Sequence, residues 1–150
     1  MEILTTILIA VHAVSAAMWV GAVFMGVWID PPALRQSAES PWFLVSFIVA
    51  QGVRVFFWVY LSMITIFVTG ALLIWLHPPQ TAVQVTLLAL KGVALAVMAG
   101  NTLYGSLVTW PKMQFATPDE VLVLWRPYLI RAYITFGCGV LGIILGVAAR

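Results

Sequence analysis

The chain has 150 residues, 63% of them hydrophobic and only 8% charged, with a mean hydropathy of +1.09. A soluble domain carries about 25% charged residues, so these values exclude a soluble enzyme or binding module and point to an integral membrane protein. The net charge of +2 is small and scattered, which argues against a nucleic-acid partner and leaves membrane lipid as the surroundings.

Four apolar stretches run over Ile3–Trp28, Val53–Leu76, Val83–Trp110 and Leu129–Ala149. Each reaches the roughly 20 residues needed to cross about 30 Å of hydrocarbon. The expected fold is all-α: one domain, an antiparallel bundle of four transmembrane helices, with short interfacial helices in connections one and three. The first stretch has no basic n-region and is long for the apolar part of a signal peptide, so it reads as a membrane span.

In that first helix, His12, Ser15, Trp19, Val23 and Gly26 share one face. A neutral imidazole at this depth can take a metal, a haem iron or a proton. The alternative is a histidine satisfied by a backbone carbonyl or by Ser15. Asp30-Pro31-Pro32 stops the helix. Ser40-Pro41 then reads as an N-cap with proline at the first helical position, and the apolar run from Trp42 to Ala50 leads into helix two. Arg54 opens that helix. It serves either as an inside anchor or as a partner for Asp30. His77 ends the helix at Trp75-Leu76-His77-Pro78-Pro79, as a surface residue or an entry ligand.

Helix three carries a second stripe: Lys91, Leu95, Met98, Thr102, Gly105 and Thr109, with Asn101 beside it. Lys91 lies at the depth expected of His12, or snorkels to the nearer surface. Asn101 can bridge helices. Thr117-Pro118-Asp119-Glu120 has the spacing of a capping box, and Pro127 is expected to break or kink the helix that follows. Arg131 opens the last span as Arg54 opens the second. Gly142 and Gly146 form a GxxxG that marks close helix contact, within the chain or in a homo-oligomer or larger membrane complex.

Anchor spacings repeat faintly. Ser40-Pro41 precedes Arg54 as Thr117-Pro118 precedes Arg131, and His12 precedes Pro31 much as Lys91 precedes Pro111. Two hairpins related by an axis along the membrane normal would produce this, as would any two hairpins with anchors at similar depths. Connections one and three share a side that holds Arg35, Arg54, Lys112, Arg126 and Arg131. The positive-inside rule then places both termini in the periplasm of a bacterial-type inner membrane.

The single cysteine, Cys138, excludes an intramolecular disulfide and a cysteine metal cluster. The five acidic residues stand near ends or connections, and no Ser/His/Asp set or phosphate loop is present, which argues against a hydrolytic enzyme. Imidazole and thioether donors suit Cu(I), so His12 with Met98, Met18 or His77 is the candidate metal set. His12, Lys91, Asn101 and Trp19 are the candidate cofactor-binding set, with haem b as the alternative to copper.

Taken in order, these residues resemble the copper-resistance D family of membrane proteins. The likeness rests on Val11-His12 with Trp19-Val20-Gly21, on Arg54-Val55-Phe56-Phe57 leading to Thr69-Gly70, on Leu90-Lys91 with Asn101 and Pro111, and on Arg131. It covers all four spans and implies copper uptake or resistance, or a transport-accessory role, with His12 central. The early histidine and mid-helix lysine also resemble the small membrane protoporphyrinogen oxidases, which implies a haem-linked oxidoreductase. A structural subunit of a larger membrane complex is the third reading.

Overall fold

The computed structural model describes residues 2–30 and 41–148. Among them the only regular secondary structure is helix. Helix α1 (Glu2–Phe24) runs into a π-helical turn, Met25–Ile29. Helix α2 spans Pro41–Leu76. Helix α3 (Ala82–Tyr104) runs into a second π turn, Gly105–Thr109, and then into the short α4 (Trp110–Gln114). Helix α5 covers Pro118–Ala148. Four helices are long and apolar enough to cross a membrane: Glu2–Ile29, Ala50–Leu76, Ala82–Gln114 and Asp119–Ala148. They form a four-helix bundle.

The expected short helix before span two is present as the first turns of α2, which continue unbroken into the span. Ser40, Pro31 and Arg35 lie outside the described residues. Pro127 does not break α5, which runs through it. A membrane helix tolerates such a proline because neighbouring helices and local adjustments re-satisfy the freed carbonyl. At the start of α5, Thr117 donates its backbone N–H to Glu120 Oε2 at 2.8 Å. A fully formed capping box sits at α3: Thr81 accepts from the Gln84 backbone while the Gln84 side chain accepts from Thr81. A cap of this kind contributes about 1 kcal/mol.

Antiparallel pairing fixes the depth of every residue. In the first hairpin Thr5 meets His77, His12 meets Thr69, and the Asp30 carboxylate accepts from Gln51 at 2.7 Å. In the second, Lys91 lies against Gly146, Met98 against Gly139, and Arg131 against Thr109. The hairpins join mainly through the first and last spans, where Phe24 meets Phe136 and Trp28 meets Tyr133 edge-on. Spans two and three approach less closely, with Tyr60 of α2 hydrogen-bonded to Ser106 of the second π turn.

Two apolar cores follow. Trp19, Val59, Ile66 and Met98 pack at mid-depth, and Trp110, Met113 and Val121 pack at the end near connections one and three. The outer surface is apolar too, with Trp75 78% exposed and Phe115 90% exposed. Lipid rather than water is the natural contact for such a surface, and interior packing then rests on dispersion and close fit.

Candidate functional site

The polar residues within the spans form two groups at different depths. Both stripes expected to face the interior do so: Ser15 and Trp19 on α1 are buried, as are Met98, Gly105 and Thr109 on the third span.

The first group is centred on His12. Thr69 sits opposite it and donates its single hydroxyl proton to the Thr65 carbonyl at 2.6 Å, a common habit of helical threonine. Its oxygen is then free to accept from His12 Nδ1 at 2.8 Å. In the Nδ1–H tautomer this network leaves the lone pair on Nε2, and the Ile66 backbone also reaches the ring. A hydrogen bond at one ring nitrogen that orients the other is how ligand histidines are held. Gly70 packs beside the ring, where a Cβ would meet His12 Cε1 at an ordinary contact distance of 3.4 Å. Lys91 occupies the matching position in the second hairpin. Its amine lies over Gly146, where a Cβ would come within 3.1 Å of Nζ.

The candidate metal residues do not converge. Met98 belongs to the mid-depth core beside Trp19 and Gly139. It lies seven residues below Lys91 on the same helix, or about 10 Å at 1.5 Å per residue. His77 is exposed and shares a hydrogen bond of 3.1 Å with Thr5, about 10 Å above His12 by the same rise. Met18 is 42% exposed, on the outside of α1. Among the described residues, no group of three or more His, Cys, Asp or Glu side chains is placed to hold a metal ion. His77, His12 and Met98 thus form a ladder of single donors and not one shell.

The second group surrounds a cavity of about 300 Å³ in the half of the bundle nearer connections one and three. All four spans contribute. Trp19, Asn101 and Arg131 line it, with Asp30 and Gln51 at one end and Val55, Phe56, Val59 and Tyr128 among the walls. Both π turns border it. They begin at Met25 and Gly105, equivalent places in the two hairpins. Each is closed by a wide backbone hydrogen bond, from Asp30 N–H to Met25 and from Trp110 N–H to Gly105. Such turns shift the residues after them around the helix axis and are frequent at functional sites. Here the residues shifted, Asp30 and Trp110, line the cavity.

Arg131 and Arg54, alike in sequence, part company. Arg54 is exposed, and the expected Asp30–Arg54 pair is replaced by Asp30–Gln51, because Gln51 is on the inward face of α2 and Arg54 is not. Arg131 turns inward. It donates to the Thr109 hydroxyl at 3.3 Å, lies 4.4 Å from the Tyr104 ring centroid, and leaves Nε without a partner. The indole nitrogens of Trp19 and Trp110 are also buried without an acceptor. Trp110, Thr109, Gln51 and Tyr128 were not among the expected site residues. Tryptophan at a helix end reads as an interfacial anchor, and only the π turn brings Trp110 inside.

The cavity does not fit haem on His12, since His12 is not part of its wall. Comparison with protein-family models, curated proteins and solved structures gives no match.

Proposed function

We propose that this is a copper-handling protein of the inner membrane, in which His12 offers Nε2 to Cu(I) as the ion passes from the periplasmic side. The observation that carries the reading is the Thr65–Thr69–His12 chain of hydrogen bonds, which leaves a directed lone pair on an intramembrane imidazole. Imidazole and thioether suit the soft, singly charged ion, and a low-dielectric interior favours one positive charge over two. Single donors spaced along the bundle, His77 then His12 then Met98, suit transient passage better than storage. The resemblance to the copper-resistance D family points the same way, and the charge of connections one and three supports periplasmic termini.

The test is Cu(I) binding by the purified protein against a competing chelator, with an absorption spectrum of the same sample. Wild type is expected to bind weakly at one site, His12→Ala to lose that site without unfolding, and Lys91→Met to bind more tightly because a repelling charge is gone. Equal copper in wild type and His12→Ala, with no Soret band, would leave the structural-subunit reading in its place. A Soret band would select haem.

A further inference from the structure

We propose that the inner cavity is a binding site for a small amphiphile with one anionic head group, a carboxylate or phosphate. The head would rest on Arg131 and Trp110, and the apolar body would reach up the bundle toward Trp19. This site is separate from His12 and goes beyond the copper reading.

A guanidinium inside a membrane span is costly, and such residues pair or mark a ligand path. The partners of Arg131 are neutral: one hydroxyl and one aromatic ring. Its Nε and the Trp110 indole N–H are both donors buried without an acceptor. A buried donor left without an acceptor is costly, so an acceptor there is favoured. Donors and a cation together call for an acceptor-rich anion, and a guanidinium suits carboxylate and phosphate alike.

The rest of the wall selects the remainder of the ligand. Ala22, Val23, Val55, Phe56 and Val59 make most of the remaining wall apolar, so the body is largely apolar, with Asn101 and the Trp19 indole N–H as polar contacts along it. A volume of about 300 Å³ is at the small end of ligand pockets, which suits a short acyl chain or an aromatic acid and not a whole phospholipid. Trp19, 1% exposed, closes the far end. Asp30 lines the same cavity and would repel a second negative charge, so the head is singly charged, a carboxylate or a phosphodiester.

The experiment is equilibrium dialysis of labelled decanoate against the full chain in lipid nanodiscs, with empty discs as the blank. One saturable site per chain is expected for decanoate and none for decyltrimethylammonium, which has the same chain and opposite charge. Arg131→Gln should weaken binding at least tenfold. Trp110→Phe, which keeps a ring and removes the N–H, should weaken it several-fold. Arg54→Gln and His12→Ala should leave it unchanged. If Arg131→Gln does not fold, Trp110→Phe and Arg131→Lys carry the test. Acid extracted with freshly purified wild type and absent from the Arg131 variant would assign a lipid source. Binding of indole-3-propionate without any co-extracted acid would assign a soluble one. Decanoate and indole-3-propionate both at the level of empty discs, or equal retention by wild type and both variants, would overturn the site.

Discussion

One hydroxyl decides how His12 presents itself. Thr69→Val keeps the shape and removes the acceptor, so the Nδ1 proton loses its partner. We expect a loss of about 1 kcal/mol and a shift of the ring toward the Nε2–H tautomer. Nitrogen-15 shifts of the His12 ring should report Nδ1–H in wild type and a mixture in the variant; identical spectra would show that Thr69 does not set the tautomer. Close packing gives a second expectation. A Cβ on Gly52 would collide with the Trp110 indole, whereas one on Gly142 meets nothing. Gly52→Ala should therefore cost about 1–3 kcal/mol by overpacking, read as a drop in thermal stability, and Gly142→Ala should be near neutral. That His12 meets a neighbouring helix was legible from a polar residue in an apolar run. The roles of Thr69 and Gly52 were not, because small residues in a span look alike until the opposite helix is known.

At the level of elements, helix existence was legible from apolar length alone, since few other structures satisfy the backbone in lipid. Which face turned inward was harder. Apolar side chains cover both the interior and the lipid side, so the contrast that marks a face in a soluble helix is weak. Arg54 and Arg131 show the limit, since similar positions led one outward and one inward. The π turns left no sequence signal that hydropathy could detect. Their effect is testable. Inserting one alanine after Leu107, which is 65% exposed, should swing Trp110 by about 100° away from Gly52. A clear fall in melting temperature is expected, while Leu107→Ala, which keeps the turn, should melt close to wild type. Similar melting of the two variants would argue that the wide turn does not position Trp110.

For the whole molecule, four spans put both chain ends on one face, opposite Lys112 and Arg126. Arg131 lies inside the bundle, but Arg54, Lys112 and Arg126 stand on that side. A reporter fused after Arg150 should be active in the periplasm and silent in the cytoplasm, and the reverse pattern would invert the bundle. The repeat faintly visible in the spacings gains support from the paired π turns and from the matched places of His12 with Thr69 and Lys91 with Gly146. Sequence comparison of the halves alone would miss it, because the matched residues differ in chemistry while keeping their depth.

That correspondence makes each hairpin a module with its own internal seam, and the link at Pro78-Pro79-Gln80 becomes a tether. Cutting the gene there and producing 1–78 and 79–150 as separate polypeptides should yield halves that insert independently and find each other in the bilayer, since membrane helices associate after insertion. An affinity tag on one half should then retrieve the other.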